Sequence, residues 1–173
     1  MTTASPSVVR PGPRFATVAR AFEAAFILAA LQAWSRAADM AILIAPLAAT
    51  CYILAFCPHL PTARPRAVIL GHFAAAFCGL AADWLGTFPP LDGQIALTVK
   101  LGLALFLSSA AMRLLTAEHP PAAATAVFPI ILPLPMEAWL LPWHMAGGAA
   151  VTVLISLVWA RFRARSVKIF QCR

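Results

Sequence analysis

Two short stretches of the chain combine proline, small side chains and a threonine in the same order. The first is Pro46-Leu47-Ala48-Ala49-Thr50, and the second, 75 residues later, is Pro121-Ala122-Ala123-Ala124-Thr125. Proline is tolerated in the first turn of a helix, where its missing N–H is not needed. Small side chains let another group approach the backbone N–H atoms, which together with the helix dipole favour a small anion. The stretches therefore predict two helix starts that bind an anion, with the threonine hydroxyls as further donors.

Three other side chains could contribute to such a site. His119 directly precedes Pro120 and Pro121, and could either donate to an anion or cap the turn. Lys100 lies inside an apolar segment, where a charge costs about 2.5–3.5 kcal/mol and so indicates a function. Alternatively, its long side chain reaches the outer membrane surface. His72 also lies in an apolar segment, where an anion contact or a hydrogen bond to neighbouring backbone would explain it.

The chain has no residue pattern typical of an enzyme or of a metal site. Its four cysteines form no CxxC pair, and three of them lie inside apolar segments, as expected of small buried side chains. The four histidines include no HxxxH spacing, and neither a nucleophile elbow nor a phosphate-binding glycine loop occurs. Catalysis, a bound metal and a cofactor are therefore not expected.

The elements that must position these side chains are apolar segments, which fill almost the whole chain. Of its 173 residues 62% are hydrophobic and only 11% are charged. A soluble domain of this size needs more polar residues to cover its surface. A membrane-spanning helix needs about 20 mostly apolar residues. Six such segments are predicted, at about 15–34, 40–57, 67–85, 94–115, 119–135 and 138–160. The predicted fold is an all-α bundle of transmembrane helices in the lipid bilayer.

Prolines interrupt the second and the fifth of these segments. Pro46 lies in the second, and the fifth contains Pro120, Pro121, Pro129, Pro133 and Pro135. Because proline breaks a helix, both segments are predicted to be broken, with two half-helix starts facing each other near the bilayer midplane. Irregular backbone at that depth must line a cavity or be buried in protein.

The basic residues predict how the chain sits in the membrane. If six segments cross and the N-terminus is cytoplasmic, eleven of the thirteen lie on the cytoplasmic side, and only Arg36 and Lys100 do not. This agrees with the positive-inside rule and predicts a bacterial inner-membrane protein with both termini in the cytoplasm. Basic flanks on an apolar chain are typical of a membrane surface, so nucleic acid is not an expected partner.

The six segments divide into two similar units. Each unit has a plain apolar segment, a proline-containing segment and an apolar segment with an early histidine, His72 or His144. Three crossings turn the second unit over, which predicts an inverted-topology repeat; chance similarity in an alanine-rich chain is the alternative. The predicted boundaries are a cytoplasmic tail at 1–14, one transmembrane domain at 15–160 with repeats at 15–86 and 94–160, and a basic cytoplasmic tail at 161–173.

Several motifs in order resemble the HPP family of integral membrane proteins, which is named after a His-Pro-Pro signature. The signature corresponds to Glu118-His119-Pro120-Pro121-Ala122-Ala123-Ala124-Thr125-Ala126, with Met112-Arg113 before it. Upstream, Ile44-Ala45-Pro46-Leu47-Ala48-Ala49-Thr50 and Pro65-Arg66-Ala67-Val68-Ile69-Leu70-Gly71-His72 resemble a second block. Ala48 and Ala123 stand where relatives usually carry glycine. The resemblance covers about residues 41–134.

The resemblance implies a transporter or channel for a small monovalent anion, with nitrite as the leading substrate because some family members are associated with nitrite transport. A membrane scaffold or partner subunit without transport activity is the alternative, and so small a bundle could form a homo-oligomer. The candidate anion-binding residues are Pro46, Ala48, Ala49, Thr50, His72, Lys100, His119, Pro120, Pro121, Ala123, Ala124 and Thr125.

Overall fold

The computed structural model describes residues 13–39, 44–88, 92–132 and 137–171, which form six α-helices and no strand. The helices are α1 (Pro13–Ala37), α2 (Ile44–Phe56), α3 (Pro65–Leu85), α4 (Gly93–Leu114), α5 (Pro120–Ile131) and α6 (Leu141–Gln171). Short 3₁₀ turns precede α3 and α6, at Pro61–Ala63 and Ala138–Leu140. The prediction of an all-α bundle is confirmed.

The helices fall into two length classes. Four of them contain stretches long and apolar enough to cross a membrane: Ala16–Ala37, Pro65–Leu85, Gly93–Leu114 and Ala138–Ala164. The other two, α2 and α5, have 13 and 12 residues. At 1.5 Å per residue they are about 20 Å and 18 Å long, short of the hydrocarbon core of about 30 Å. The chain is a multi-pass membrane protein in which two apolar helices are too short to span alone.

The two segments predicted to be broken are each one short helix within the described residues. Pro46 lies in the first turn of α2, and two prolines occupy the first positions of α5, where no N–H is required. α5 ends at Ile131, soon after the internal Pro129, so the fifth segment is shorter than predicted. Residues 133–136, which carry its last two prolines, lie outside the described part of the chain.

The last helix is longer than predicted. α6 passes residue 160, the expected end of the sixth segment, and continues to Gln171. Residues 161–171 contain neither proline nor glycine, so no residue in this stretch interrupts the backbone hydrogen bonding. The region predicted as a basic tail is therefore mostly an extension of α6. The tail predicted at 1–14 lies outside the described residues except for the first turn of α1.

Helix α3 lies at the centre of the bundle. It packs against α4, α5 and α6, while α1 packs against α2 and α6, and α2 also contacts α5. Small residues let α3 come close to α5: a Cβ atom added at Gly79 would collide with the backbone of Ala126. Such close approach is the usual reason for small residues between membrane helices. The arrangement holds α2, α3 and α5 together around one buried group of polar side chains.

A buried ion-pair group joins three helices at one end of the bundle. The Glu23 carboxylate in α1 is 2% exposed and accepts hydrogen bonds from Arg163 of α6 at 2.5 Å and from Arg20 at 3.3 Å. Arg20 also donates to the carbonyl oxygen of Ala55 in α2 at 2.9 Å. A buried charge is tolerated only when it is paired in this way. The group therefore fixes how α1, α2 and α6 meet.

Candidate functional site

Four side chains from α2, α3, α5 and the residue before α5 form one continuous hydrogen-bonded chain. His72 of α3 is at its centre: its Nδ1 lies 2.8 Å from Thr125 Oγ1, and its Nε2 lies 2.9 Å from Thr50 Oγ1. Thr50 Oγ1 also lies 2.8 Å from Nε2 of His119, whose Nδ1 is 2.7 Å from the carbonyl oxygen of Thr62. We call these four side chains the Thr–His chain. It brings together residues that are up to 75 positions apart.

The Thr62 carbonyl determines which atoms donate in the Thr–His chain. A carbonyl oxygen only accepts, so Nδ1 of His119 carries the hydrogen. In neutral His119, Nε2 is then an acceptor and must receive the hydroxyl hydrogen of Thr50. The Thr50 hydroxyl donates its only hydrogen to His119, so toward His72 its oxygen can only accept, and it accepts from Nε2–H of His72. Nδ1 of His72 is then an acceptor for the Thr125 hydroxyl, and every donor points from Thr125 toward Thr62.

The Thr–His chain is sealed from solvent. Thr50, His72, His119 and Thr125 are each 0% exposed, and no buried side-chain nitrogen or oxygen in the described part lacks a partner. Fully satisfied buried polar networks specify one arrangement of the helices around them. Space for the network is made by Gly71, because a Cβ there would lie 3.0 Å from the Cβ of His119.

The start of α5 offers fewer donors than the sequence suggested. Pro120 and Pro121 have no N–H, and the N–H of Ala122 is bonded to the carbonyl oxygen of His119 at 2.9 Å. The helix dipole still favours negative charge there. However, residues 120–122 supply no free backbone donor, so an anion near this helix start must be bound by side chains.

The remaining candidates in the two matching stretches take different positions. Pro46 is buried, and its carbonyl oxygen lies 3.3 Å from Thr50 Oγ1. Ala48 and Ala123 are partly buried, whereas Ala49 and Ala124 are exposed on the outside of their helices. The structure therefore does not bring Ala49 and Ala124 into the Thr–His chain, since one residue of helix rotation turns them away from the neighbouring threonines.

An arginine-lined cleft lies next to the Thr62 end of the Thr–His chain. It has a volume of about 440 Å³, and we call it the vestibule; its lining includes Thr62, Arg64, Arg66, Arg113 and Glu118. Arg66 donates to the carbonyl oxygen of Leu115 at 3.1 Å, and Arg113 pairs with Glu118 at 2.5 Å. The Arg64 side chain has no partner among the described residues. Three guanidinium groups facing one carboxylate give the vestibule a positive potential.

A second cleft adjoins the vestibule between α4 and α5. It has a volume of about 640 Å³ and is mostly apolar. Arg113 and Glu118 line both clefts, and His119 and Ala123 line only the second. His119 thus lines the second cleft and bonds to Thr62, which lines the vestibule, although the His119 side chain has no exposed surface. The His119 end of the Thr–His chain is therefore the end closest to open space.

Lys100 lies away from the Thr–His chain, so the structure does not bring it together with the other candidate residues. Its ammonium group lies 2.8 Å from the carboxylate of Asp83, near the end of α3. Asp83 is eleven residues beyond His72, or about 16 Å along the helix. The lysine packs over Gly86 and pairs with a carboxylate instead of facing the threonines. Its charge in an apolar segment is explained by that ion pair.

The position of the Thr–His chain along the bundle can be measured on α3. α3 has 21 residues and is about 31 Å long, and His72 is seven residues from its start at the vestibule. The histidine is therefore about 10 Å along the helix. His72 thus lies about a third of the way along α3, on the side of the vestibule arginines.

Thr62 and the arginines of the vestibule are parts of the site that no sequence motif indicated. Thr62 lies in a proline-rich loop and contributes only a backbone carbonyl, which no residue pattern reveals. In the sequence, Arg64 and Arg66 indicate only the membrane orientation, and Arg113 indicates either that orientation or an ion pair with Glu118. These arginines were predicted to lie on the same side of the membrane as the His-Pro-Pro stretch, and this placement was the signal that could have linked them to the site.

Comparison with known proteins identifies the family of this chain. A family model for the HPP transmembrane region matches residues 6–168. A transmembrane protein of Dictyostelium discoideum is 31% identical over 90 residues, which is 52% of this chain and 30% of that protein. The aligned part thus covers less than a third of that relative. No solved structure matches significantly. The family match covers nearly the whole sequence and includes the motifs that first suggested it, so the chain belongs to the HPP family of integral membrane proteins.

Proposed function

We propose that this protein transports a small monovalent anion across the membrane, with nitrite as the leading substrate, and that it performs no catalysis. The observation that carries the proposal is the buried Thr–His chain directly beneath the arginine-lined vestibule. The vestibule concentrates anions, and the Thr–His chain places hydroxyl and imidazole groups along the contact between α2 and α5, where they would bind the anion once their present hydrogen bonds open. Nitrite is named because of the association of some family members with its transport.

The electrostatics of the vestibule support an anionic substrate. Arg64, Arg66 and Arg113 face a single carboxylate, Glu118. Clefts lined by one sign of charge raise the association rate of oppositely charged ligands by about 10- to 1,000-fold. Arg64 has no partner among the described residues and is therefore available to an incoming anion. A cationic substrate would meet repulsion at this entrance.

An inverted repeat would explain why the two short helices α2 and α5 lie on either side of the Thr–His chain, and we include this repeat in the proposal. Thr50 and Thr125 are both buried, Ala49 and Ala124 are both exposed, and Ala48 and Ala123 are both partly buried. These three pairs of residues at the offset of 75 thus have the same burial in α2 and α5. Inverted repeats around a buried site are typical of transporters that expose the site alternately to the two sides.

The proposed orientation has both termini in the cytoplasm of a bacterial inner membrane. Arg20, Arg163 and the vestibule arginines support it, because Arg20 contacts the end of α2 from which the chain continues to the vestibule. The positive-inside rule assigns such an arginine-rich end to the cytoplasm. The vestibule would then open to the cytoplasm, and the Lys100–Asp83 pair would lie at the outer end.

A panel of anions in a liposome flux assay tests the proposal. Purified protein in liposomes should take up nitrite faster than protein-free liposomes do. Arg64→Gln combined with Arg66→Gln should lower the rate about 10-fold at low salt, because the vestibule loses most of its positive charge. Arg36→Gln, at an exposed position at the end of α1, is the matched control and should transport normally. Uptake of every anion at the protein-free rate would refute transport.

A scaffold or partner subunit without transport activity is the second candidate. The observation in its favour is that Thr125 is 0% exposed and lines none of the described clefts. Under this alternative the polar network only holds the helices together, alone or in a homo-oligomer. The same flux assay separates the two, because a scaffold gives no uptake even when the protein is folded and correctly inserted.

A further inference from the structure

The Thr–His chain has the properties of a path for a proton. Thr50, His72 and His119 each donate and accept, Thr125 donates, and all donors point the same way, from Thr125 to the Thr62 carbonyl. A proton that joins the Thr125 oxygen can push the existing hydrogens one bond along. The Thr125 hydrogen moves to Nδ1 of His72, and the resulting imidazolium keeps its Nε2–H bond to Thr50.

The next transfer moves the charge to His119 without moving a heavy atom. The Nε2–H bond of His72 breaks as a new O–H bond forms on Thr50, and the original O–H bond of Thr50 breaks as Nε2–H forms on His119. His119 is then an imidazolium that still donates from Nδ1 to Thr62. The Thr50 hydrogen also has a second acceptor, the carbonyl oxygen of Pro46 at 3.3 Å. After the transfer, Nδ1–H of His72 donates to the Thr125 oxygen, the Thr50 hydroxyl donates to Nε2 of His72, and the Thr125 hydrogen turns away from His72.

The Thr62 carbonyl makes His119 the resting place of that proton. Loss of the Nδ1 hydrogen would leave two acceptors, Nδ1 and the Thr62 oxygen, facing each other at 2.7 Å. His119 therefore retains Nδ1–H, and the charge stays on a ring that lines the cleft next to the vestibule. The ring centroids of His72 and His119 are 5.3 Å apart, so the chain holds one added proton and repels a second.

We infer that the proposed anion transport is coupled to protons, with the Thr–His chain carrying one proton for each anion. The inference rests on the proposed function. An anion in the vestibule stabilises the imidazolium of His119, and the imidazolium in turn stabilises the anion, because coupling between two sites is reciprocal. Charged or ionisable groups on the surrounding elements, which also bias this equilibrium, are Arg64, Arg66, Arg113, Glu118, Cys51 and His144.

Accumulation under a pH gradient tests the inference. Movement of one proton with one monovalent anion is electroneutral, so an outside solution one pH unit more acidic should sustain about a 10-fold accumulation of the anion. Protein-free liposomes correct for any permeation of the undissociated acid. A pH dye inside the liposomes should report acidification when only an anion gradient is applied. Anion flux without accumulation or acidification would overturn the coupling and leave the proposed function intact. Absence of any flux would refute both.

Variants test whether the Thr–His chain is the proton path. Thr50→Val removes the hydroxyl that links the histidines, and accumulation should fall from about 10-fold to about 1-fold, whereas Thr50→Ser keeps the hydroxyl and should restore it. Thr152→Val is the matched control, because among the described residues the hydroxyl of this buried threonine of α6 bonds to the carbonyl of Gly148 alone. Thr125→Val and Thr125→Ser repeat the test at the other end of the chain if Thr50→Val does not fold. Coupled accumulation by either valine variant would overturn the assignment.

Discussion

Removal of the Thr50 hydroxyl should destabilise the protein more than removal of a hydroxyl that serves only its own helix. In Thr50→Val the side chain keeps its shape and branching, but Nε2 of His72 and Nε2 of His119 both lose their partner. These contacts measure 2.9 and 2.8 Å, and all three residues are 0% exposed. Water cannot replace the lost hydroxyl without the helices moving apart.

The size of the effect follows from the two orphaned nitrogens. An interhelical hydrogen bond in a membrane protein contributes about 0.6 kcal/mol on average. A buried polar group left without a partner costs about 1–3 kcal/mol. Between these limits, two orphaned groups lower the free energy of unfolding by about 2–4 kcal/mol. Thr50→Ser should cost less than about 1 kcal/mol because the hydroxyl remains.

Unfolding of the purified protein, titrated from mild detergent into sodium dodecyl sulfate, measures this difference. The control is Thr152→Val, whose hydroxyl bonds at 2.7 Å to a carbonyl one turn earlier on the same helix. That carbonyl keeps its backbone partner, so the loss should stay below about 1 kcal/mol. If Thr50→Val and Thr152→Val unfolded at the same detergent composition, the Thr–His chain would not hold α2, α3 and α5 together.

Three other changes give contrasting outcomes. Gly79→Val places a side chain against the backbone of Ala126 and should lower the free energy of unfolding by about 3 kcal/mol in the same titration, whereas Gly102→Ala, with nothing within 4 Å, should be neutral or stabilise by up to about 1 kcal/mol. Glu23→Gln replaces two charged hydrogen bonds by neutral ones while both arginines stay partly exposed, and should destabilise by about 1–3 kcal/mol; unfolding like the wild type would show that these ion pairs do not hold α1 and α6 together. Lys100→Gln should leave the apparent affinity for the anion unchanged in the flux assay, and a rise of 10-fold or more in the half-saturating concentration would restore this lysine to the site.

The class of the protein and most helix positions were predictable because they depend on local properties. Apolar runs interrupted by prolines predicted six helical segments, and the start of α5 at Pro120 follows from the missing N–H of proline. The end of α6 was not predicted. The positive charges after residue 160 suggested a tail, but charged residues do not end a helix, and residues 161–171 contain neither proline nor glycine. The short length of α5 was predicted only in part. Its prolines indicated an interruption, but Pro129 lies inside the helix, which ends two residues later at Ile131.

The pairing of Thr50 with Thr125 could be inferred from their matching surroundings, but the way in which they meet could not. His72 joins them, and nothing in its apolar neighbourhood distinguishes it from His144, its counterpart in the second unit. Lys100 was the strongest charged candidate, and it proved to pair with Asp83. Sequence spacing assigns a residue to a face of its own helix, but the neighbour that this face meets depends on how the helices pack.

By itself, the sequence determined that this chain enters a membrane, that its helices begin at particular prolines, and that two threonines and two histidines occupy apolar surroundings. Composition and spacing along the chain were sufficient for each of these. Only the tertiary structure decided that the four polar side chains form one directed hydrogen-bonded chain that ends at the Thr62 carbonyl. The reason is physical: donor direction depends on distances of 2.7–2.9 Å between atoms on different helices, and no local pattern specifies those distances.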